Sequence, residues 1–279
     1  MKTSAAAVLF LAGMISAPLA PAQQPGAARP PASKPPAPAT AEGKAAAAAA
    51  QRQADETLAR TYMATKRYSE AIVVYQRLAK ANPREPSYLN LAGIATMQNG
   101  DLRGARQWFQ RSIKVESRFA DAYNNLGATW YGEKNYKRAL QFYQRAVALQ
   151  PGVAGYHTNV GYAYFNLKMP VEAEQAFRRA LLMDPFVFQQ NDRSGSVLQD
   201  RSVADKGLFA FTMAKSYANT GDATSCAAYL RRAIDEGYKD IAQVYTDPAF
   251  AAVLPSPDVQ AALSTIPAPQ SEAAVPASR

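Results

Sequence analysis

Very few groups in this chain could carry out a reaction. In 279 residues there is one histidine, His157, and one cysteine, Cys226. A zinc site takes four ligands from Cys, His and carboxylates at set spacings, and no HExxH helix occurs. There is no G-x-S-x-G elbow, no Walker loop and no G-x-G-x-x-G turn. Acidic pairs such as Asp55-Glu56 stand among other charges and read as surface. A catalytic histidine needs positioned partners. His157 instead occupies an aromatic position in a periodic pattern, which favours packing. Cys226 falls on a small-residue position, where a free thiol packs as a small hydrophobe. The expectation is therefore no catalytic residue, no metal and no cofactor. The groups that remain are ones that hold things: amides that donate and accept hydrogen bonds, and aromatic faces.

The elements that must position them repeat. From Ala120 the landmarks are Tyr123, Leu126, Gly127, Trp130, Ala139, Tyr143, Ala146 and Pro151. From Ala154 they are His157, Val160, Gly161, Tyr164, Ala173, Phe177, Ala180 and Pro185, each displaced by 34 residues. Tyr123, Leu126 and Trp130 make one stripe of a first helix, and Ala139, Tyr143 and Ala146 one stripe of a second. Gly127 and Ala139 let the two helices approach, while Pro151 cannot continue the second. Copies in the same register begin at Arg52 and Pro86, with Thr96, Ser112 and Ser117 at the aromatic, alanine and proline positions of the latter. A weaker copy begins near Gly207, with Met213, Ala214, Tyr217, Cys226, Leu230 and Ala233, and Gly237 as its stop.

These landmarks and their 34-residue interval resemble the tetratricopeptide repeat over residues 52 to about 240. The resemblance implies an all-α fold, a right-handed solenoid of antiparallel helix pairs. Repeats are expected near 52–85, 86–119, 120–153, 154–187 and 207–240, within a solenoid spanning 46–266. It also implies that one stripe of each first helix faces the hollow of the superhelix. On that stripe the expected peptide-binding residues are Asn90 and Met97; Asn124, Asn125 and Tyr131; Thr158, Asn159, Tyr162 and Phe165; and Phe211. The amides suit a peptide backbone and the aromatics its side chains. The alternative for each aromatic is packing between adjacent repeats. Some relatives grip chaperone-tail carboxylates with basic residues over three repeats. No register of this chain puts lysines or arginines in those positions, so no carboxylate clamp is expected.

The two ends read differently. Lys2, the apolar run from Ala5 to Ile15 and the small residues of Ala20-Pro21-Ala22 have the form of a signal peptide, residues 1–22, cleaved after Ala22. The alternative is an uncleaved anchor. Seven prolines between Pro21 and Pro38 forbid helix there, so 23–45 is expected to be a disordered linker, with helix able to begin in Ala45–Ala50. Residues 267–279 are expected to be a disordered tail. The reading is a periplasmic or secreted protein with no transmembrane segment in the mature chain.

Net charge is +9, concentrated on the second helices: Arg103, Arg106, Arg111 and Lys114; Lys137, Arg138 and Arg145; Arg178 and Arg179; Arg231 and Arg232. This face is either simply solvated or attracts an anionic envelope polymer. No interleaved aromatic motif accompanies it, so nucleic acid is not expected. Phe186 to Asp205 breaks the rhythm. Its short apolar runs and the Asn191–Ser196 turn suggest a small β-hairpin at about 187–199, or a disordered insertion. Asp240–Thr246, Pro248–Val253 and Asp258–Leu263 are expected to cap the last repeat within 240–266. The functional expectation is an exported scaffold or adaptor binding a protein or peptide in the groove. The alternative is a carrier for an anionic glycan or lipid on the basic face.

Overall fold

The computed structural model describes residues 40–188 and 205–267. The chain divides into two units, residues 1–44 and 45–279, and the repeats lie in the second. The expected signal peptide, nearly all of the expected linker, residues 189–199 of the hairpin and residues 268–279 of the tail lie outside the described residues. Val187 and Phe188, the described start of that hairpin, are in a turn.

Among the described residues ten helices follow as five pairs: α1 (Ala41–Ala64) with α2 (Tyr68–Ala81), α3 (Pro86–Gln98) with α4 (Leu102–Val115), α5 (Ala120–Gly132) with α6 (Tyr136–Leu149), α7 (Ala154–Asn166) with α8 (Pro170–Met183), and α9 (Lys206–Ala218) with α10 (Ala223–Asp235). Helix α1 begins earlier than expected, inside the stretch read as linker. The last proline of that stretch is Pro38, and Thr40 Oγ1 accepts from Gly43 N at 3.2 Å, as an N-cap does.

The turns explain the strict interval. Lys66, Gly100, Lys134 and Lys168 occupy the same turn position, 34 residues apart, and all have positive φ (59°, 89°, 60° and 63°). Only glycine adopts that conformation without strain. The second helix then begins on a capping side chain in several repeats: Asp101 accepts from Gly104 N at 2.8 Å, and Asn135 from Arg138 N at 3.2 Å.

The glycine landmarks set how closely each pair packs. A Cβ on Gly93 would stand 2.4 Å from Phe109, on Gly127 2.7 Å from Tyr143, and on Gly161 2.4 Å from Phe177. Each ring comes from the second helix of the same repeat and is fully buried. The aromatic therefore fills the space that the glycine leaves. Ser112, at an alanine position, is also fully buried, and its Oγ donates to Pro86 O at 2.9 Å. That bond satisfies the hydroxyl in the core.

The first pair carries a buried carboxylate. Asp55, expected at the surface beside Glu56, is instead 5% exposed. Arg77 Nε and Nη2 donate to its two oxygens at 2.8 and 2.7 Å, and Gln51 Nε2 donates at 3.0 Å. The bidentate Arg77 bond holds the Asp55 carboxyl below its ordinary range.

Beyond α10 the chain caps the solenoid with two 3₁₀ turns, Ile241–Tyr245 and Pro248–Phe250, and a short helix α11 (Pro257–Ala262). The apolar residues expected to cover the last repeat (Ile241, Val244, Phe250, Val253, Val259 and Leu263) are all buried in a core cluster continuous with α7–α10. Lys215 Nζ also bonds Asp247 Oδ2 at 2.6 Å, tying α9 to the cap.

Candidate functional site

First helices one repeat apart lie side by side, so residues about 35 apart in sequence meet. Along α3, α5 and α7 this builds a chain of amides. Asn159 Nδ2 donates to Asn124 Oδ1 at 2.7 Å, Asn124 Nδ2 to Asn125 Oδ1 at 3.4 Å, and Asn125 Nδ2 to Asn90 Oδ1 at 3.0 Å. The asparagines singled out from sequence are thus brought together. Among the described residues nothing donates to the buried Asn159 Oδ1, which leaves one acceptor at the end of the chain unsatisfied. Such an atom costs about 1–3 kcal/mol unless something reaches it.

The aromatic half of the expected groove is placed otherwise. Tyr131, Tyr162, Phe165 and Phe211 are 5%, 4%, 3% and 5% exposed, and Thr158 is fully buried. They do not present an open face. Tyr162 stacks on Phe209 with centroids 5.6 Å apart and meets Phe177 edge-on at 5.3 Å. Phe165 meets Phe209 edge-on at 5.3 Å. Phe211 stacks on Tyr238 at 4.7 Å and leans on Phe250 at 5.5 Å, so it holds the cap. Tyr131 meets Tyr136 edge-on at 5.1 Å, and its hydroxyl accepts from Asn166 Nδ2 at 2.7 Å. The physical reason is that α7 and α9 are covered on every side: Tyr156 to Ala163 and Phe209 to Ala214 are buried without a break. Phe209 is the residue that sequence reasoning missed. It enters between Tyr162, Phe165 and Phe177 and consumes their faces.

What stays accessible is the stripe on α3 and α5. Met97, Asn124 and Asn125 are half-buried, with Ile94 and Ala128 beside them, while Asn90 is buried behind. This stretch offers apolar side chains next to amides whose remaining donors and acceptors can serve an extended backbone. At its N-terminal side lies a cleft of ≈ 360 Å³ whose lining includes Glu56, Arg60, Ser87 and Tyr88. There the Tyr88 hydroxyl donates to Glu56, and burial together with that bond pushes its pKa up to about 12. Tyr156 makes the corresponding bond to Asp121 in the later repeats.

His157 is 7% exposed, with its Nε2 2.9 Å from Pro151 O, and so ties its repeat to the end of the preceding one. Cys226 is fully buried, and burial, reinforced by Asp222, pushes its thiol up to about 12. Part of the basic face is engaged internally. Arg106 pairs with Glu133 at 2.9 Å and lies 4.4 Å from the Trp130 ring centroid, which Arg138 approaches to 4.6 Å. Arg145 lies 5.8 Å from the Tyr123 ring centroid, and Arg178 is 3.8 Å from Glu174. Among the described residues no helix is long and apolar enough to cross a membrane.

Comparison with known proteins agrees with this geometry. Three family models, each described as tetratricopeptide repeat, match residues 56–116, 120–152 and 154–186. No curated protein matches the chain significantly. Among solved structures, pilF of Pseudomonas aeruginosa is 17% identical with a TM-score of 0.50, over 78% of this chain and 99% of that one. A thermophilic TPR protein of Thermus thermophilus is 19% identical with a TM-score of 0.45, over 68% of this chain and 93% of that one. MamA of Desulfovibrio magneticus RS-1 is 18% identical with a TM-score of 0.46, over 66% of this chain and 94% of that one. At such identities the likeness concerns fold alone. The helix pairs, their 34-residue register and the three matched segments together show that the chain belongs to the tetratricopeptide repeat family.

Proposed function

We propose that this protein is an exported adaptor that holds an extended segment of a protein partner on the α3–α5 stripe. Tetratricopeptide repeats form scaffolds for protein–protein interaction, and the finer reading rests on the amide chain. Asn90, Asn125, Asn124 and Asn159 run across three repeats and end on an unsatisfied acceptor. Ile94, Met97 and Ala128 supply adjacent apolar contact. An extended peptide presents alternating backbone donors and acceptors, which is what a row of amides can meet. The reading that the chain is exported rests on its first 22 residues, with Lys2, the apolar run and Ala20-Pro21-Ala22. The role is binding, with no reaction step.

The test is affinity capture from the native envelope fraction with the full chain, compared with a Met97→Glu/Asn124→Arg variant. Both positions are half-exposed, but Asn124 accepts from buried Asn159, so the variant's helicity and melting are checked before capture. A partner held by the parent and lost from the variant supports the reading. Equal capture by both removes the stripe from consideration.

A further inference from the structure

The basic face is not uniform, and one cleft on it has the features of a second binding site. It lies between α2 and α4, the second helices of the first two repeats, and encloses ≈ 720 Å³. Lys80, Arg111 and Lys114 line it together with Leu89, Trp108 and Val115, and no carboxylate contributes to its lining. Among the described residues none of the three cations meets an acidic partner. Arg111 stacks on Trp108, its guanidinium carbon 4.4 Å from the ring centroid. Stacking fixes the plane of the guanidinium and leaves its N–H fork available to a carboxylate.

The repeat register shows that this cluster is local. Arginine recurs every 34 residues at Arg77, Arg111, Arg145 and Arg179. Arg77 is consumed by Asp55, and Arg145 lies beside Tyr123. Three residues further on, the series runs Lys80, Lys114, Ala148 and Leu182. Two lysines therefore flank an unpaired arginine only between the first and second repeats. By the fourth repeat the same position is an exposed leucine, 69% accessible.

We propose that this cleft binds an acidic segment of a protein partner, one that carries an apolar side chain among its carboxylates. Charge complementarity requires an anion with several negative groups, since three cations surround one apolar floor. Leu89, Trp108 and Val115 give that floor to an aliphatic or aromatic side chain. A bilayer would need apolar groups that project, whereas these line a recess. A glycan would need many neutral hydrogen-bonding groups, of which the lining side chains supply only the Gln76 amide and the Trp108 indole N–H. Its cations all stand on the second helices, and its one α3 residue, Leu89, is not among those of the α3–α5 stripe, so the protein could engage two partners at once.

The test uses the full chain and a fluorescein-labelled peptide, Glu-Glu-Phe-Glu-Glu-Leu-Glu, in an anisotropy titration at fixed ionic strength. Micromolar binding is expected, weakened about tenfold or more by Arg111→Glu/Lys114→Glu. The neutral Arg111→Gln/Lys114→Gln variant should weaken it in the same direction. Lys137→Glu/Arg179→Glu removes the same charge elsewhere on the basic face and should leave the affinity within about threefold. The Gln-for-Glu peptide and the peptide with Ser for Phe and Leu should each bind about tenfold more weakly or not at all. Equal loss in the two Glu double variants would reduce the site to general attraction and overturn the proposal. So would undiminished binding of the Gln peptide, or binding of phosphatidylglycerol vesicles without the Glu peptide. The Met97→Glu/Asn124→Arg variant should bind the peptide normally, which separates this proposal from the groove reading.

Discussion

The fit between Gly161 and Phe177 makes a quantitative prediction about why this solenoid packs as it does. A Cβ at Gly161 would lie 2.4 Å from Phe177 Cε1 and 2.5 Å from Cδ1, about 1 Å inside ordinary contact. The ring is fully buried and touches Tyr162, Phe188 and Phe209 edge-on, so it has little room to yield. Overpacking of this kind costs about 1–3 kcal/mol, while replacing a mid-helix glycine by alanine returns up to about 1 kcal/mol. Gly161→Ala should therefore destabilise by about 1–2 kcal/mol. The fifth repeat shows the compatible pairing, with Ala214 and Leu230 at the corresponding positions, both fully buried. Phe177→Leu alone should cost about 1–2 kcal/mol through lost volume. Combined with Gly161→Ala it should cost at least about 0.5 kcal/mol less than the two single effects added. Urea unfolding followed by helical circular dichroism reads all four proteins. If Gly161→Ala is neutral or stabilising, or if the pair is additive, the close approach does not control this packing.

Other perturbations test the remaining framework. Lys168→Gly and Lys134→Gly should each raise stability by about 1 kcal/mol, because a non-glycine residue at φ near +60° carries about that strain. An unchanged melting temperature would contradict it. Asp55 has a depressed carboxyl pKa, so its stabilisation is complete above the unfolded value of ~3.9 and is lost as pH falls through the lower folded value. Asp55→Asn should cost about 1–2 kcal/mol at neutral pH, moderated by water around the half-exposed Arg77, and should flatten this acid limb of the stability profile. Cys226 should resist iodoacetamide at pH 8 in the native protein and react on unfolding; rapid native labelling would mean that the fifth repeat opens.

Repeat number, register and cap were legible because each landmark has a local packing cause. Gly127 leaves space, Tyr143 fills it, and Pro151 ends the helix, and all three recur. The cap could be read because Ile241, Val244, Phe250 and Val259 are apolar residues in a stretch whose turn chemistry ends each segment. The aromatic part of the groove was not legible from the first-helix stripe alone. Tyr162 and Phe165 sit in positions that face a hollow in the tetratricopeptide pattern, but Phe209 arrives from across the irregular stretch after Pro185, where the 34-residue interval no longer applies. The warning lay in α9 itself, since Phe209, Phe211, Met213 and Tyr217 put large apolar side chains on more than one side of it. The burial of Asp55 is hidden from a sequence reading for a related reason. Its partner Arg77 is on the other helix of the pair, and charge patterns along one helix do not show such pairs.

The most direct measurement replaces Asn124 with a photo-crosslinking amino acid in the full-length protein, and in a second protein replaces Gln141, exposed on the second helix of the same repeat. Both are irradiated in the native envelope fraction, and the crosslinked peptides are identified by mass spectrometry. The account predicts a single partner crosslinked from position 124 through an extended segment, absent from position 141 and competed by that segment as a synthetic peptide. Crosslinks from position 141 alone, or identical products from both positions, would contradict the assignment of the α3–α5 stripe as the binding surface.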